Sequence, residues 1–399
     1  MLEKGAWRDF FAVTFSIAIV GIGLGCTLPL TALALTRRGF GPNVVGWMIA
    51  ASALGGVCGT FLTPSVVARI GRRKIMIGCF ILATLSIAPL QFFVSIPSWL
   101  MLQFLFGVSM AALFLIGESW INVLPSDSHR GRVVAIYTTS FTLFQVLGPL
   151  FTDWVSGFPQ TAFLLFGALF MLGIPAIFIA RDDARAHVET SSPTDANVGN
   201  PAEQVLPWFV VVRRGSIIIA GVAFFASFDS IILGFLPLVA LDSGFSQSRA
   251  LTAATIVLAG DASLQYVAGW MSDHFGRARI HRLCGLAVCL LLPLLHWALQ
   301  LPIVWALYLF CLGGFSGAIY TLSMVASGDK FGGTSLLRIA GLIGLTWNIS
   351  SAVGPAATGL LMQRFGSMAM VSVLWVIALV FLLVARDRKI LINQFPTAG

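Results

Sequence analysis

The sequence predicts an all-α membrane protein, with twelve transmembrane helices in two pseudo-symmetric six-helix bundles. Three observations predict it. Of 399 residues, 58% are hydrophobic and only 10% charged, whereas soluble domains carry about 25% charged residues. Charge-free apolar stretches recur at lengths that cross a bilayer, about 20 residues each. Two unrelated local features also repeat at nearly the same offset along the chain. Lipid must be the solvent for most of this surface, as the mean hydropathy of +0.92 also requires. No alternating polarity suggests a barrel, and only helices or closed barrels satisfy their backbone in lipid.

The elements follow in order. Span 1, near 10–35, fills the run Phe10–Thr36. That run is too long for a signal-peptide core and lacks a cleavage site, so it is expected to be retained. Span 2, near 44–68, lies in Gly39–Ala68. The run Ile75–Gly117 is too long for one helix, and Ser95-Ile96-Pro97-Ser98 breaks it into span 3 (75–94) and span 4 (99–123). Span 5 is placed at 133–153 and span 6 at 160–180. Spans 7 and 8 are placed at 216–240 and 249–271. The run Leu283–Gly328 breaks at Gln300-Leu301-Pro302 into spans 9 (283–299) and 10 (302–325). Spans 11 (339–361) and 12 (366–385) close the series.

Lys and Arg set the orientation. With a cytoplasmic N-terminus, twenty of the 24 basic residues fall inside, leaving Arg37, Arg38, Arg249 and Arg364 outside. The expected location is the cell inner (plasma) membrane, multi-pass, with both termini cytoplasmic. The net charge of +8 is then a consequence of topology, and no nucleic-acid partner is needed to explain it. The only long polar stretch, 181–215, carries Ser191-Ser192-Pro193-Thr194 and Asn200-Pro201 and reads as a flexible cytoplasmic linker. It divides the chain into an N-terminal bundle, 1–180, and a C-terminal bundle, 216–399.

All six cysteines lie in or beside apolar segments without metal-ligand or disulfide spacing, so they read as small core residues. Five scattered histidines (His129, His187, His274, His281 and His296) form no cluster, and no nucleophile motif accompanies them. An integral-membrane enzyme is therefore not expected, and no cofactor is implied.

The halves echo each other. Ala68-Arg69-Ile70-Gly71-Arg72-Arg73 after span 2 matches Asp273-His274-Phe275-Gly276-Arg277-Ala278 after span 8, the glycines lying 205 positions apart. Leu147-Gly148-Pro149 matches Val353-Gly354-Pro355 at an offset of 206. Parallel six-helix repeats about an axis along the membrane normal are a transporter architecture, with the substrate site between the halves. Gly269-Trp270-Met271-Ser272-Asp273-His274-Phe275-Gly276-Arg277 resembles the G-x-x-x-D-R-x-G-R loop of the major facilitator superfamily. The copy after span 2 is degraded, with Pro64 at the first glycine and Ala68 at the acid. Glu118-Ser119-Trp120-Ile121-Asn122, Arg130-Gly131-Arg132 and Leu264-Gln265-Tyr266 are similar to the YcaD-like bacterial branch.

The loop's acid and bases can bridge the halves when the cytoplasmic side closes. Candidate gate residues are Asp273, Gly276, Arg277, Arg69, Gly71, Arg72, Arg130 and Arg132. Asp273 is expected to meet Arg132 or the free amides at the start of span 5. A plain positive-inside anchor also fits these arginines, most of all on the side where Ala68 replaces the acid.

Acids in lipid usually face a cavity or a partner. Three stand out: Glu118 late in span 4, and Asp229 and Asp261 near the midpoints of spans 7 and 8. No Lys or Arg lies within about a turn of the midplane, so Asp229 and Asp261 are expected to exchange protons. The resemblance implies a cavity lined by spans 1, 4, 7 and 10 and flanked by 2, 5, 8 and 11. Gln265, Tyr137, Gln145, Tyr320, Trp347 and Asn348 fall on those spans and complete the candidate set for substrate or proton handling. A protonated packing role for the aspartates, and helix-to-helix hydrogen bonds for the neutral groups, are the bland alternatives. Gly148-Pro149 and Gly354-Pro355 resemble an antiporter kink, and a packing kink fits as well. Many proton-coupled members carry R-x-x-Q-G in span 4, where Gln103-Phe104-Leu105-Phe106-Gly107 has neither the Arg nor the Gln.

The expected function is secondary active transport of a small neutral or cationic molecule by alternating access, as proton-coupled export. Uptake or facilitated diffusion of a small neutral metabolite is the alternative. The partners expected are the small-molecule substrate, protons and the bilayer, with the chain acting as a monomer.

Overall fold

Each expected span folds as helix, and most of the helices run past the bounds the sequence suggests; spans 6 and 12 fall short of theirs by two or three residues. The computed structural model describes residues 6–124, 130–180 and 207–386. Among these, span 1 is Ala6–Arg37, span 2 Pro42–Ile70, span 4 Ile96–Val123 and span 5 Arg130–Ser156. Span 3 is Arg72–Ile87, prolonged by a 3-10 turn, Ala88–Gln91. Span 6 comprises Ala162–Met171 and Gly173–Ile179. A short helix, Trp208–Arg214, precedes span 7 (Ser216–Asp242), and span 8 is Gln247–Phe275. Span 9 runs through Arg277–Leu291, a turn at Leu292–Leu294, and Leu295–Gln300. Spans 10, 11 and 12 are Val304–Lys330, Gly333–Phe365 and Ala369–Arg386. The linker expected at 181–215 lies outside the described residues up to 206.

Most helices exceed the spans placed on them because apolar character marks only the part in hydrocarbon. At about 1.5 Å per residue, a helix of 32 residues is about 48 Å long, well beyond the roughly 30 Å of hydrocarbon. Its ends therefore stand among headgroups, where polar turns are tolerated. What stops a helix is local chemistry. Gly71 and Gly276 end spans 2 and 8 at φ 92° and 91°, in the left-handed region that side chains disfavour. Ser95 and Ser246 start spans 4 and 8 by accepting the backbone N–H of Ser98 and Arg249, each at 3.4 Å.

The two halves repeat the same packing. Spans 1 and 5, and 2 and 4, pair in the first half; spans 7 and 11, and 8 and 10, pair in the second. Without a hydrophobic force between helices in lipid, small residues drive the approach. Gly55 sits under the Phe104 carbonyl and Gly107 under that of Ser52; Gly260 and Gly313 repeat this under Phe310 and Val257. Gly148 crosses directly over Gly25, and Gly354 lies against Ser227. Both Gly-Pro sites therefore serve close helix crossings.

Across the halves, span 2 packs on span 11 and span 5 on span 8. The contacts gather at the end away from the basic loops. There Gly46 abuts the Pro355 carbonyl and Gly359 the Pro42 carbonyl. Arg37 donates to Gln247 and, at 3.4 Å, to the Ser156 carbonyl, while Gln247 Nε2 donates to Ser156 Oγ at 2.5 Å. Toward the basic end the same four spans become exposed, as at Phe61, Ile136, Val267 and Leu336. The halves thus meet closely at one end, while the same spans are exposed toward the other, where Arg69, Arg72, Asp273 and Arg277 lie.

The four arginines outside the positive-inside pattern are all engaged. Arg38 donates to the Phe93 carbonyl at 2.9 Å and lies 4.9 Å from the Trp99 ring centre. Arg37 joins the cross-half contact, and Arg249 and Arg364 each lie 5.5 Å from a phenylalanine ring, Phe245 and Phe365.

Candidate functional site

Span 8 brings Asp261 and Gln265 to one helix face, one turn apart. Gln265 Nε2 donates to Asp261 Oδ1 at 2.8 Å. Asp261 is 9% exposed, and its carboxylate rests against the bare Cα of Gly317 on span 10. A side chain at 317 would overlap the carboxylate, so the glycine makes the pocket that holds this acid. Asp229, half-buried on span 7, lies within electrostatic reach of Asp261. Tyr320 on span 10 lies within reach of both Asp261 and Glu118. Glu118 and Ser119 are exposed at the cavity end of span 4. Five residues from both halves therefore make one electrostatic array: Glu118 with Tyr137, Glu118 with Tyr320, Tyr320 with Asp261, and Asp261 with Asp229.

The other expected residues separate. Tyr137 is only 2% exposed, and its hydroxyl has no hydrogen-bond partner among the described residues. It points at Gly117, where a Cβ would stand 2.6 Å from Oη, so it backs Glu118 from behind the cavity wall. Gln145 is half-buried, and its backbone carbonyl packs onto Gly25. Asn348 donates to the Gly344 carbonyl at 2.9 Å, and its Oδ1 faces Gly56 of span 2 across the interface between halves. Tyr308, on span 10 but outside the expected set, donates to the Leu291 carbonyl at 2.7 Å.

Aromatic rings form the wall beside the acids. Phe225 and Tyr320 are nearly parallel, with centres 5.2 Å apart and planes at 24°. Trp347 meets Tyr320 edge-to-face at 5.3 Å and 67°. In the first half Phe114 and Phe141 repeat that corner at 5.4 Å and 71°, each 206 positions earlier. Among the described residues every Lys and Arg lies no more than about six residues from a helix end or between helices, whereas Asp229 and Asp261 lie at the middle of theirs. A separate apolar crevice between spans 11 and 12, lined by Leu361, Phe365, Met368, Ala369 and Ser372, contains no titratable group.

At the basic end, Arg277 pairs with Asp329 at the end of span 10 and, at 3.5 Å, with Asp273 one turn back. Gly276 supplies the turn that lets Arg277 face both acids. The degraded copy lacks an acid at Ala68, and Arg72 instead lies 4.0 Å from the Trp120 ring centre. Arg69 is exposed. The side chains of Arg130 and Arg132 are outside the described set, so the expected meeting of Asp273 with span 5 is also outside it.

Sequence reasoning missed Phe225, Gly317, Asp329 and the contact among Arg37, Ser156 and Gln247. The repeat offset alone could have flagged the Tyr320–Trp347 corner from Phe114 and Phe141.

Comparison with known proteins places these features in a family. Residues 13–260 and 218–390 match the model of the Major Facilitator Superfamily. The chain is 25% identical over 382 residues to the uncharacterized MFS-type transporter YcaD of Escherichia coli O139:H28, covering 94% of each chain. It is 23% identical over 365 residues to the uncharacterized MFS-type transporter YfkF of Bacillus subtilis, covering 90% of each. Its fold resembles the crystal structure of a D-xylose-proton symporter with a TM-score of 0.73 at 17% identity, covering 94% of this chain and 97% of that one. A partially occluded inward-open structure of the xylose transporter XylE from E. coli matches at a TM-score of 0.70 and 16% identity, covering 94% of this chain and 96% of that one.

Proposed function

The chain belongs to the major facilitator superfamily and is a secondary transporter rather than an enzyme; on that premise we propose that it exports a small neutral or cationic molecule in exchange for protons. The observation that carries this reading is Asp261, held between Gln265 and Gly317 at the middle of span 8, with Asp229 at the middle of span 7. Both acids lie near the middle of their helices, while among the described residues every Lys and Arg lies near a helix end or between helices. Such carboxylates suit a proton or a cation and repel an anion. Alternating access then requires the meeting end to open as the basic end closes. The distribution of Lys and Arg supports a cytoplasmic basic end, with the segment 181–215 joining units 1–180 and 216–399 on that side.

Uptake or facilitated diffusion of a neutral metabolite remains the second reading. Its support is Gln103, which stands where many proton-coupled members carry arginine. Gln103 is buried and donates to Thr31 Oγ1 at 2.9 Å, so it is committed to packing spans 1 and 4. Flux of a substrate panel in proteoliposomes, with and without an imposed pH gradient, tests the choice. A neutral or cationic compound driven against its gradient by inward proton flow supports export. Flux indifferent to the pH gradient supports the second reading.

A further inference from the structure

The aromatic corner on the C-terminal side of the cavity is a built surface. Phe225 forms its buried base at 6% exposure, while Tyr320 and Trp347 are half-buried. The near-parallel Phe225–Tyr320 pair and the steeply inclined Trp347 give two flat faces meeting at 67°. The matched corner of Phe114 and Phe141 is purely hydrocarbon. At 320 and 347 the same geometry carries a hydroxyl and an indole N–H. Neither makes a hydrogen bond to protein among the described residues.

Charge distinguishes the two corners further. Tyr320 has a carboxylate from each half within electrostatic reach, Glu118 and Asp261. Ring faces carry a negative quadrupole and attract cations, most strongly when water is excluded. Small hydrated inorganic cations would gain little from flat apolar faces. Anions would meet carboxylates and π-faces together. A flat ring bearing one delocalised positive charge satisfies each feature: stacking on the walls, charge for a carboxylate, and an edge for the free Tyr320 and Trp347 groups.

We propose that the corner formed by Phe225, Tyr320 and Trp347, with Asp261 and Glu118 beside it, is the binding site for planar aromatic monocations. This deepens the transport reading, on which it rests for the idea that the bound molecule is cargo.

Equilibrium dialysis of the purified full-length chain in detergent tests the site without any gradient. The probe is labelled N-methylquinolinium, with quinoline as a neutral competitor of nearly the same shape and tetramethylammonium as an aliphatic one. Mildly alkaline buffer keeps quinoline neutral. The expected result is retention of N-methylquinolinium, with both competitors at least about tenfold weaker. Trp347→Ala should weaken the probe about tenfold and Trp347→Phe about threefold or less. Asp261→Asn should narrow the gap between quinoline and N-methylquinolinium by about threefold or more, and Phe114→Ala should leave the probe within about twofold. Elution of each variant as a single species in size exclusion establishes that it is folded. Equal competition by quinoline in the unaltered protein, or unchanged binding in Trp347→Ala, overturns the proposal, as does no retention at all. The two readings fail separately. Intact probe binding with flux indifferent to a pH gradient removes proton-driven export and leaves this site standing. Gradient-driven flux without probe binding does the reverse.

Discussion

The carboxylate of Asp261 on span 8 rests on the bare Cα of Gly317 on span 10. Gly260 and Gly313 bring the two helices together on the same seam. An acid in a helix interface is therefore held by close packing on one side and by Gln265 at 2.8 Å on the other. Gly317→Ala should force the carboxylate aside and destabilise the protein by about 1–3 kcal/mol, the usual range for overpacking. In an Asp261→Ala background the same change should cost much less, because the overlapping atoms are gone. Thermal unfolding of the four proteins in detergent closes the cycle. Additive losses would mean that the carboxylate does not occupy this pocket.

Proton coupling makes a separate demand on the acids. With Asp229 in electrostatic reach of Asp261, and every described Lys and Arg near a helix end or between helices, at least one should change protonation as the transporter turns over. Asp229→Asn or Asp261→Asn should therefore reduce gradient-driven flux by about tenfold or more, in line with removal of a proton-transferring group. Exchange of labelled substrate across the membrane without a gradient should persist. If both variants keep full gradient-driven flux, neither acid carries the coupling.

Asp273, expected to latch the basic end shut by meeting the start of span 5, has a defined competing partner. In the state with the basic end open, Asp273 is held by Arg277 at 3.5 Å, and Arg277 also holds Asp329. Closing that end would bring Asp273 toward the start of span 5. An exposed pair contributes about 0–1 kcal/mol, yet about 1 kcal/mol shifts a two-state balance roughly fivefold. Asp273→Ala should raise labelling of cavity cysteines from the basic end several-fold without unfolding the protein. Arg69→Ala should change it less, since Ala68 leaves that side without the acid. Unchanged labelling in Asp273→Ala would remove the latch.

The sequence made the spans easy to read and their ends hard. Lipid turns apolar length into a direct measure of a span, but helices continue into headgroups without an apolar signal. Span 9 shows the difference: its apolar run begins at Leu283, yet the helix starts at Arg277, with three arginines in its first two turns. At the site, Asp229, Asp261 and Glu118 stood out because charge is rare in lipid, and Gln265 because it lies one turn from Asp261. Phe225 and Gly317 carry no such signal. A ring or a glycine in an apolar helix is ordinary until its neighbour is known. Asp329, 52 positions from Arg277, had no local reason to be read as its partner.

The end where the halves meet should open on its polar flank. There Arg37 of span 1 and Ser156 of span 5 are tied to Gln247 of span 8, the only side chain of the three from the second half. On the other flank, spans 2 and 11 touch through glycine and backbone at Gly46–Pro355 and Gly359–Pro42. Hydrogen bonds contribute about 0.5–1.5 kcal/mol each, so losing the two from Gln247 should favour opening by about tenfold. Ala253 is fully buried about two turns into span 8 and reports on that opening. With the six native cysteines replaced, Ala253→Cys should be labelled several-fold faster from this end when combined with Gln247→Ala. Gln247→Glu keeps an acceptor for Arg37 and should not speed labelling. Gly46→Val drives a side chain into the Pro355 carbonyl, so it should also raise labelling, but with a fall in thermal stability that Gln247→Ala lacks. Equal rates for Gln247→Ala and the unaltered residue would show that the closed end is held by the glycine flank alone.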